Sequence, residues 1–277
     1  MLIDGKSIAR ELRTALHERV RALGRRLTLG VVVVEETPEI HKFVELKQKC
    51  GEEVGVAVEV FAMDRMQHTT ENLLQIVLHA TREYDGLIVQ LPLPHGLDLE
   101  SLLSIYPLSH DVDVIGHMAY QQFKEGRLPF NPPVVAAIAE ILHREGVRLA
   151  DRRVLVIGEG RLVGAPATIW AERMGARVKT VNKTTERFDE WARGADIVIC
   201  GAGAPGIIHP DNIKEGVIIL DAGTSESEGV LRGDADPACA GKARIFTPTP
   251  GGIGPITVAK VFENLLTLMA LKEKQKQ

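Results

Sequence analysis

The sequence predicts an α/β protein of two domains, the second a doubly wound parallel sheet. Three observations carry this. Segments of helical spacing alternate with short apolar runs along most of the chain. Those runs are apolar at successive positions, as in parallel strands covered on both faces by helices. The length, 277 residues, suffices for about two domains.

The elements follow in order. Ile8, Leu12, Leu16, Val20 and Leu23 recur at helical spacing, and LTLGVVVVE (Leu27–Glu35) reads as a buried strand. A helix is expected over about 38–54, then strand VAVEVFAM, then a helix over about 70–83 leading into strand DGLIVQL (Asp85–Leu91). The proline-rich LPLPHGLD closes this part. From Ile105 to Pro133 the pattern is irregular, with Pro107, Gly116, Gly126, Pro129, Pro132 and Pro133, and reads as loop and linker. A helix from Val134 to about Glu145 opens a second alternating set, whose strands are RVLVIG, RVKTV, ADIVICG and GVIILDAG. TPTPGGIGP (Thr247–Pro255) is a loop, and a last helix runs from about Ile256 to Lys272. The expected domains are therefore 1–133 and 134–255, followed by a terminal helical segment, 256–277.

Composition narrows the function. Hydrophobic residues make up 45% and charged residues 25% of the chain, with a formal net charge of -4. No broad basic surface for nucleic acid is implied. No uninterrupted apolar stretch approaches about 18 residues, so no membrane span is expected. The start, MLIDGKSIAREL, is too polar for a secretory signal. Cys50, Cys200 and Cys239 are widely spaced and odd in number, which fits a reducing cytoplasm better than a disulfide framework. The nine histidines form no HExxH pair, and no metal site is expected.

One loop suggests a ligand. VIGEGRLVGAP (Val156–Pro166) follows an apolar run and precedes a helical pattern. Gly158 permits a tight turn, Gly160 lets backbone N–H groups approach phosphate oxygens, and Gly164 lies where helix packs on strand. The GxGxxxG spacing is one residue longer than the common dinucleotide fingerprint, so an ordinary strand-to-helix turn also fits. Lys183, just past strand RVKTV, suits a 2′-phosphate; Glu159, between the first two glycines, opposes one. NAD and NADP both stay open.

The first domain offers a second cluster. Phe43 and Lys47 share a helix face, an aromatic ring one turn from an amine. Gln90 ends a strand at the edge where open α/β sheets bind ligands, and Asp113 lies in the irregular SHDVDVIG. A solvated lysine, a core phenylalanine, a glutamine satisfying backbone groups and a turn aspartate would explain each one singly.

Together these stretches resemble the bifunctional methylenetetrahydrofolate dehydrogenase/cyclohydrolases. The resemblance spans IDGKSIA, KQKCGEEVGV, DGLIVQLPLP, DVDV, VGAP, GAGAPG, KEGVIILDAG and TPTPGGIGPITVA. It implies two α/β domains around a cleft, the second Rossmann-like, with the final helix packed back on the first domain, and a homodimer. It implies oxidation of methylene-tetrahydrofolate to methenyl-tetrahydrofolate with NAD or NADP, then hydrolysis to formyl-tetrahydrofolate. By motif, Lys47 matches the catalytic lysine, Gln90 the glutamine that tunes it, and Asp113 the aspartate that binds the pterin. The same match places Phe43, Pro250, Gly251 and Gly252 at the folate. It places Gly158, Glu159, Gly160, Arg161, Val163, Gly164, Lys183 and Gly203 at the nucleotide.

The chain departs from the family where chemistry is done. The family's YxxxK has Phe43 for its tyrosine, which keeps the ring and loses the hydroxyl. The glycine of its DVDG is Val114. Its PCTP is replaced by Phe130, Asn131, Pro132 and Pro133, and its GRS by Gly158, Glu159 and Gly160. The reading is a folate-dependent oxidoreductase with weakened cyclohydrolase activity. A non-redox enzyme that uses the methylene group for transfer or cyclisation, and a non-catalytic folate or nucleotide sensor, are the alternatives.

Overall fold

The computed structural model describes residues 1–35, 37–63, 68–182, 184–227 and 230–275. It divides into two compact units, Met1–Ala9 with Val134–Thr257, and Arg10–Pro133 with Val258–Gln277. The first nine residues thus do not belong with the expected 1–133 domain. Leu2 bridges to Phe246, the Ile3 amide donates to the Phe246 carbonyl at 2.9 Å, and the Met1 ammonium donates to the Arg244 carbonyl at 2.7 Å. These contacts are between residues far apart in the chain and leave no local pattern. The first helix, α1 (Gly5–Ala22), and the last, α9 (Ile253–Gln275), each contribute residues to both units.

Arg10–Pro133 holds a three-stranded parallel sheet of β1 (Leu27–Val33), β2 (Val56–Ala62) and β3 (Gly86–Val89), in the order β2-β1-β3. Central β1 and edge β3 are almost wholly buried, whereas edge strand β2 is half-exposed and not covered on both faces as its sequence suggests. Helix α2 (Pro38–Val54) starts where Thr37 accepts a hydrogen bond from the Ile40 amide and Pro38 occupies the first turn. It stops at Gly55, in the left-handed conformation. Helix α3 (Thr70–Glu83) is capped in the same way by Thr69. Leu27, Leu29 and Val31 of β1 pack with Val44 and Val54 of α2 and with Phe262, Leu265 and Met269 of α9. By length and composition α9 is apolar enough to cross a membrane, and its apolar side chains are taken up by this core.

The stretch around 105–133 is not simply linker. It follows α4 (Leu99–Ile105) and contains a short 3-10 turn (Leu108–His110) and α5 (His117–Lys124). Asp98 caps α4 and Leu102 and Leu103 are buried beneath it; α5 buries Ala119 and Phe123. Helices of about two turns show too few repeats for periodicity to reveal them.

Val134–Thr257 holds five parallel strands: β4 (Arg153–Ile157), β5 (Arg177–Val181), β6 (Ile197–Cys200), β7 (Ile218–Asp221) and β10 (Ile245–Phe246). Their order is β10-β7-β6-β4-β5, with α6 (Pro133–Arg144) before the sheet, α7 (Gly164–Arg173) after β4, and α8 (Phe188–Gly194) after β5. A small antiparallel pair, β8 (Ser225–Ser227) and β9 (Val230–Arg232), follows β7. The chain runs outward from β4 to β5, then returns past β4 to β6. The carboxyl ends of β4 and β6 therefore flank a topological switch point, where such sheets bind ligands.

Candidate active site and nucleotide loop

In the three-stranded unit, Lys47 projects from the middle of α2 and is buried. Its amine donates to Gln90 Oε1 at 2.9 Å. Gln90 follows β3 directly, its backbone N–H donating to the Val32 carbonyl at 2.9 Å, so the β ladder fixes its position. Its side-chain Nε2 donates to the Leu91 carbonyl at 3.2 Å, which leaves Oε1 facing the lysine. The Phe43 ring lies one helical turn from Lys47, with the amine 5.9 Å from its centroid, near the outer limit of a cation–π contact. Burial lowers the Lys47 pKa, and the charge of Asp113 pulls against it. Burial raises the Asp113 pKa, and Lys47 pulls that back. The two groups form a coupled, partly desolvated pair whose proton is held loosely compared with a solvated lysine.

The loop carrying Asp113 is built by its neighbour. Asp111 is fully buried, accepting from the Ile115 amide at 3.1 Å and the Gly116 amide at 2.7 Å. Burial pushes its carboxyl up to about 7 despite those bonds. Val114, inside this clamp, has φ 60 and is 2% exposed. A β-branched residue in the left-handed region is strained by about 1–2 kcal/mol. Tyr106 is also buried. Burial first, then the charges of Asp111 and Asp113, hold that phenol well above its ordinary pKa.

The glycine loop of the other unit has the shape its sequence suggests. The Gly158 amide donates to the Val181 carbonyl at 2.8 Å, tying the ends of β4 and β5 together. Gly158 has φ 102, and a Cβ there would lie 2.5 Å from the Gly201 carbonyl oxygen. At Gly164 a Cβ would lie 1.9 Å from the Gly158 oxygen, so α7 can start this close to β4 only without a side chain. Around Gly160 there is open space. Val163 caps α7 with no side-chain bond; the Ala165 amide donates to the Gly160 carbonyl at 3.1 Å, and Pro166 has no N–H, so the turn is closed by backbone alone. Arg161 stands between Gly160 and α7. The Glu159 carboxylate accepts from Asn182 Nδ2 at 3.2 Å. Lys183 lies outside the described residues. This arrangement fits the pyrophosphate of a dinucleotide on its own geometry.

Gly203 belongs to the facing loop after β6 and has φ 61. Two residues absent from the sequence reading hold that loop. Asp234, fully buried, accepts from the Ala202 amide at 2.7 Å and the Ala204 amide at 2.6 Å. Asp221 in turn accepts from the amides of Gly223, Asp234 and Ala235. Asp221 lies inside the quoted KEGVIILDAG, but its partners sit up to 14 residues on, beyond any local spacing rule.

The structure thus brings Phe43, Lys47, Gln90 and Asp113 together in one unit, and Gly158 to Gly164 and Gly203 at one sheet edge of the other. Pro250, Gly251 and Gly252 fall in the five-stranded unit at the start of α9, so they are no part of the lysine cluster within its own unit. Gly252 packs against Gly5, where a Cβ on Gly5 would lie 1.8 Å from the Gly252 oxygen. Among the described residues no group of three or more His, Cys, Asp or Glu is arranged to hold a metal ion.

Known proteins place both halves. The family model for the tetrahydrofolate dehydrogenase/cyclohydrolase catalytic domain matches residues 3–113, and the model for that family's NAD(P)-binding domain matches 132–274. The bifunctional protein FolD of Halothermothrix orenii is 33% identical over 276 residues, covering 95% of each chain. The crystal structure of the bifunctional FolD dehydrogenase/cyclohydrolase from Campylobacter jejuni superposes with a TM-score of 0.92 at 28% identity, over 98% of this chain and 99% of that one. The Trypanosoma brucei enzyme, solved with NADP and an inhibitor, gives a TM-score of 0.92 at 29% identity, over 98% of each chain. A match that runs through both units, and through the lysine cluster and the glycine loop alike, leaves one assignment: the chain belongs to the tetrahydrofolate dehydrogenase/cyclohydrolase family.

Proposed function

We propose that this chain oxidises methylene-tetrahydrofolate to methenyl-tetrahydrofolate and hydrolyses the methenyl product only weakly. The observation that carries the reading is the buried Lys47 amine held by Gln90 beside Asp113. A bound nicotinamide dinucleotide supplies the hydride acceptor. The Gly158–Gly164 loop at the start of α7 would hold its phosphates. Asp113 is suited to accept N–H bonds from a pterin. Lys47, its proton affinity lowered by burial, gives up a proton at Nζ more readily than a solvated lysine, and proton movement is what hydrolysis of the cationic methenyl group needs and hydride movement between carbons does not. Gln90 keeps the amine aimed. Phe43 can stack but cannot orient the amine or a water through a hydroxyl.

The same reading takes the chain to be a homodimer in a reducing compartment. Among the described residues no strand pairs with the outer edge of β2, which leaves an edge for a second copy, and Cys50, Cys200 and Cys239 are buried free thiols. Sedimentation velocity on the purified protein checks the dimer. The activity test is a spectrophotometric assay with methylene-tetrahydrofolate and each nicotinamide dinucleotide, beside a separate assay of methenyl hydrolysis. Expected are clear oxidation, slow hydrolysis, and a hydrolysis rate that Phe43→Tyr raises more than the oxidation rate. No oxidation with either nucleotide would overturn the reading in favour of non-redox use of the methylene group.

A further inference from the structure

We infer that Glu159 is the residue that reads the adenosine ribose, and that it selects NAD over NADP. The inference rests on the dinucleotide reading of the glycine loop. In such sheets the ribose of the adenosine lies near the end of the strand after the glycine loop, where a carboxylate accepts hydrogen bonds from a free 2′-hydroxyl. That strand is β5. It ends at Val181 with no acidic residue after it: Asn182 and Lys183 follow. The acid is supplied from the glycine loop itself. Because the Gly158 amide donates to the Val181 carbonyl at 2.8 Å, residue 159 leaves β4 alongside residue 182.

Asn182 is locked to present its amino group to that carboxylate. Its Oδ1 accepts from the Thr184 amide at 3.0 Å and the Thr184 hydroxyl at 2.7 Å, and its own amide donates to the Thr185 hydroxyl at 2.9 Å. The side-chain oxygen is therefore taken up by donors, and Nδ2 points to Glu159 Oε2 at 3.2 Å. The carboxylate is exposed and stands where β4 and β5 end. An acceptor held in that place suits the hydroxyl pair of NAD. A 2′-phosphate there would bring nearly two further negative charges against the carboxylate, with acceptors facing acceptors. The cations nearest in sequence, Arg161 and Lys183, are the groups able to offset this, so the test includes Lys183.

Calorimetric titration of the folded protein with NAD and with NADP reads binding without turnover. The wild type is expected to bind NAD at least about tenfold more tightly than NADP at low salt. Because an exposed carboxylate is screened, the ratio should narrow as salt is raised. Glu159→Gln should raise NADP affinity and bring the two close together. Asn182→Ala, which frees the carboxylate to turn, should weaken NAD by a few-fold. Wild-type affinity for NADP equal to or above that for NAD, with the NADP preference lost in Lys183→Ala, would assign the reading to Lys183 and overturn the proposal. An unchanged ratio in Glu159→Gln would overturn it as well. If neither nucleotide binds the folded protein, the dinucleotide reading of the loop fails and this inference fails with it.

Discussion

The loop around Asp113, tied to β3 by a bridge between Asp111 and Leu87, and the loop after β6 are both gripped by a buried aspartate that accepts two backbone amides: Asp111 in one, Asp234 in the other. Both contain a residue in the left-handed region, Val114 at φ 60 and Gly203 at φ 61. They differ in what they present. The lysine cluster is crowded with side chains, and burial shifts the pKa values of Lys47, Asp111 and Asp113. The loop edge of the five-stranded sheet is stripped to glycine at 158, 160, 164, 201 and 203. Proton chemistry needs desolvated charges, and those require side chains to exclude water. A pyrophosphate needs bare backbone N–H groups, and those require side chains to be missing. The same clamp serves both ends.

The largest effect is expected from Lys47→Ala. Hydrolysis of methenyl-tetrahydrofolate should fall by about 10²–10⁴-fold, the usual worth of a positioned acid or base, with a much smaller loss of oxidation. The wild-type hydrolysis profile should carry a pH limb below the ordinary lysine value of 10.5, because burial lowers the Lys47 pKa, and the variant should lack it. Equal losses in both activities, with folate binding intact, would erase the functional contrast between the two edges. Next is Asp234→Ala. It orphans two amides bonded to a carboxylate, each worth about 1.5–3 kcal/mol, so urea unfolding should show a loss of about 3 kcal/mol or more, and nucleotide binding should weaken with it. Full stability would show that the clamp is not what shapes the facing loop. Asp113→Ala should cost about 1–3 kcal/mol of folate affinity through unpaired donors; an unaltered titration removes Asp113 from the site.

The smallest effects come from exchanging the two left-handed residues. Gly203→Val has space, since a Cβ would lie 3.6 Å from the Thr224 oxygen, but should lose about 1–2 kcal/mol to backbone strain. Val114→Gly relieves comparable strain while losing burial of about 1.5–3 kcal/mol and adding the freedom of an unfolded glycine. It should therefore cost only about 1 kcal/mol in the same unfolding assay. A stabilised Val114→Gly would mean that the buried side chain contributes little, and that the valine is kept for the conformation it imposes on Asp113.

Local chemistry made much of this legible. Apolar spacing placed helices over about 38–54 and 70–83, and α2 and α3 lie there. Phe43 and Lys47 share a face because they are four apart on that helix. The glycine spacing at 158–164 pointed to a loop that the packing of α7 on β4 requires. The illegible features are non-local or brief. Asp111 and Asp113 sit two apart in one DVDV, and nothing in that motif says that the first holds the loop while the second faces the lysine. Asp221 meets Asp234 and Ala235 only after the β8–β9 excursion. Residues 1–9 join the later unit through Phe246, at the far end of the chain.

That last connection and the placement of α9 bear on how the protein is made. During synthesis the strands β1, β2 and β3 leave the ribosome early, yet Phe262, Leu265 and Met269 form one wall of their core. Domains ordinarily fold in the order they emerge. Here the three-stranded sheet stands with an open apolar face until α9 is made, while residues 1–3 wait for Phe246 before they have a partner. The five-stranded unit is complete by Thr257, so the half translated second is the half that can finish first. Until α9 is made, β1 lacks the apolar wall that Phe262, Leu265 and Met269 give it.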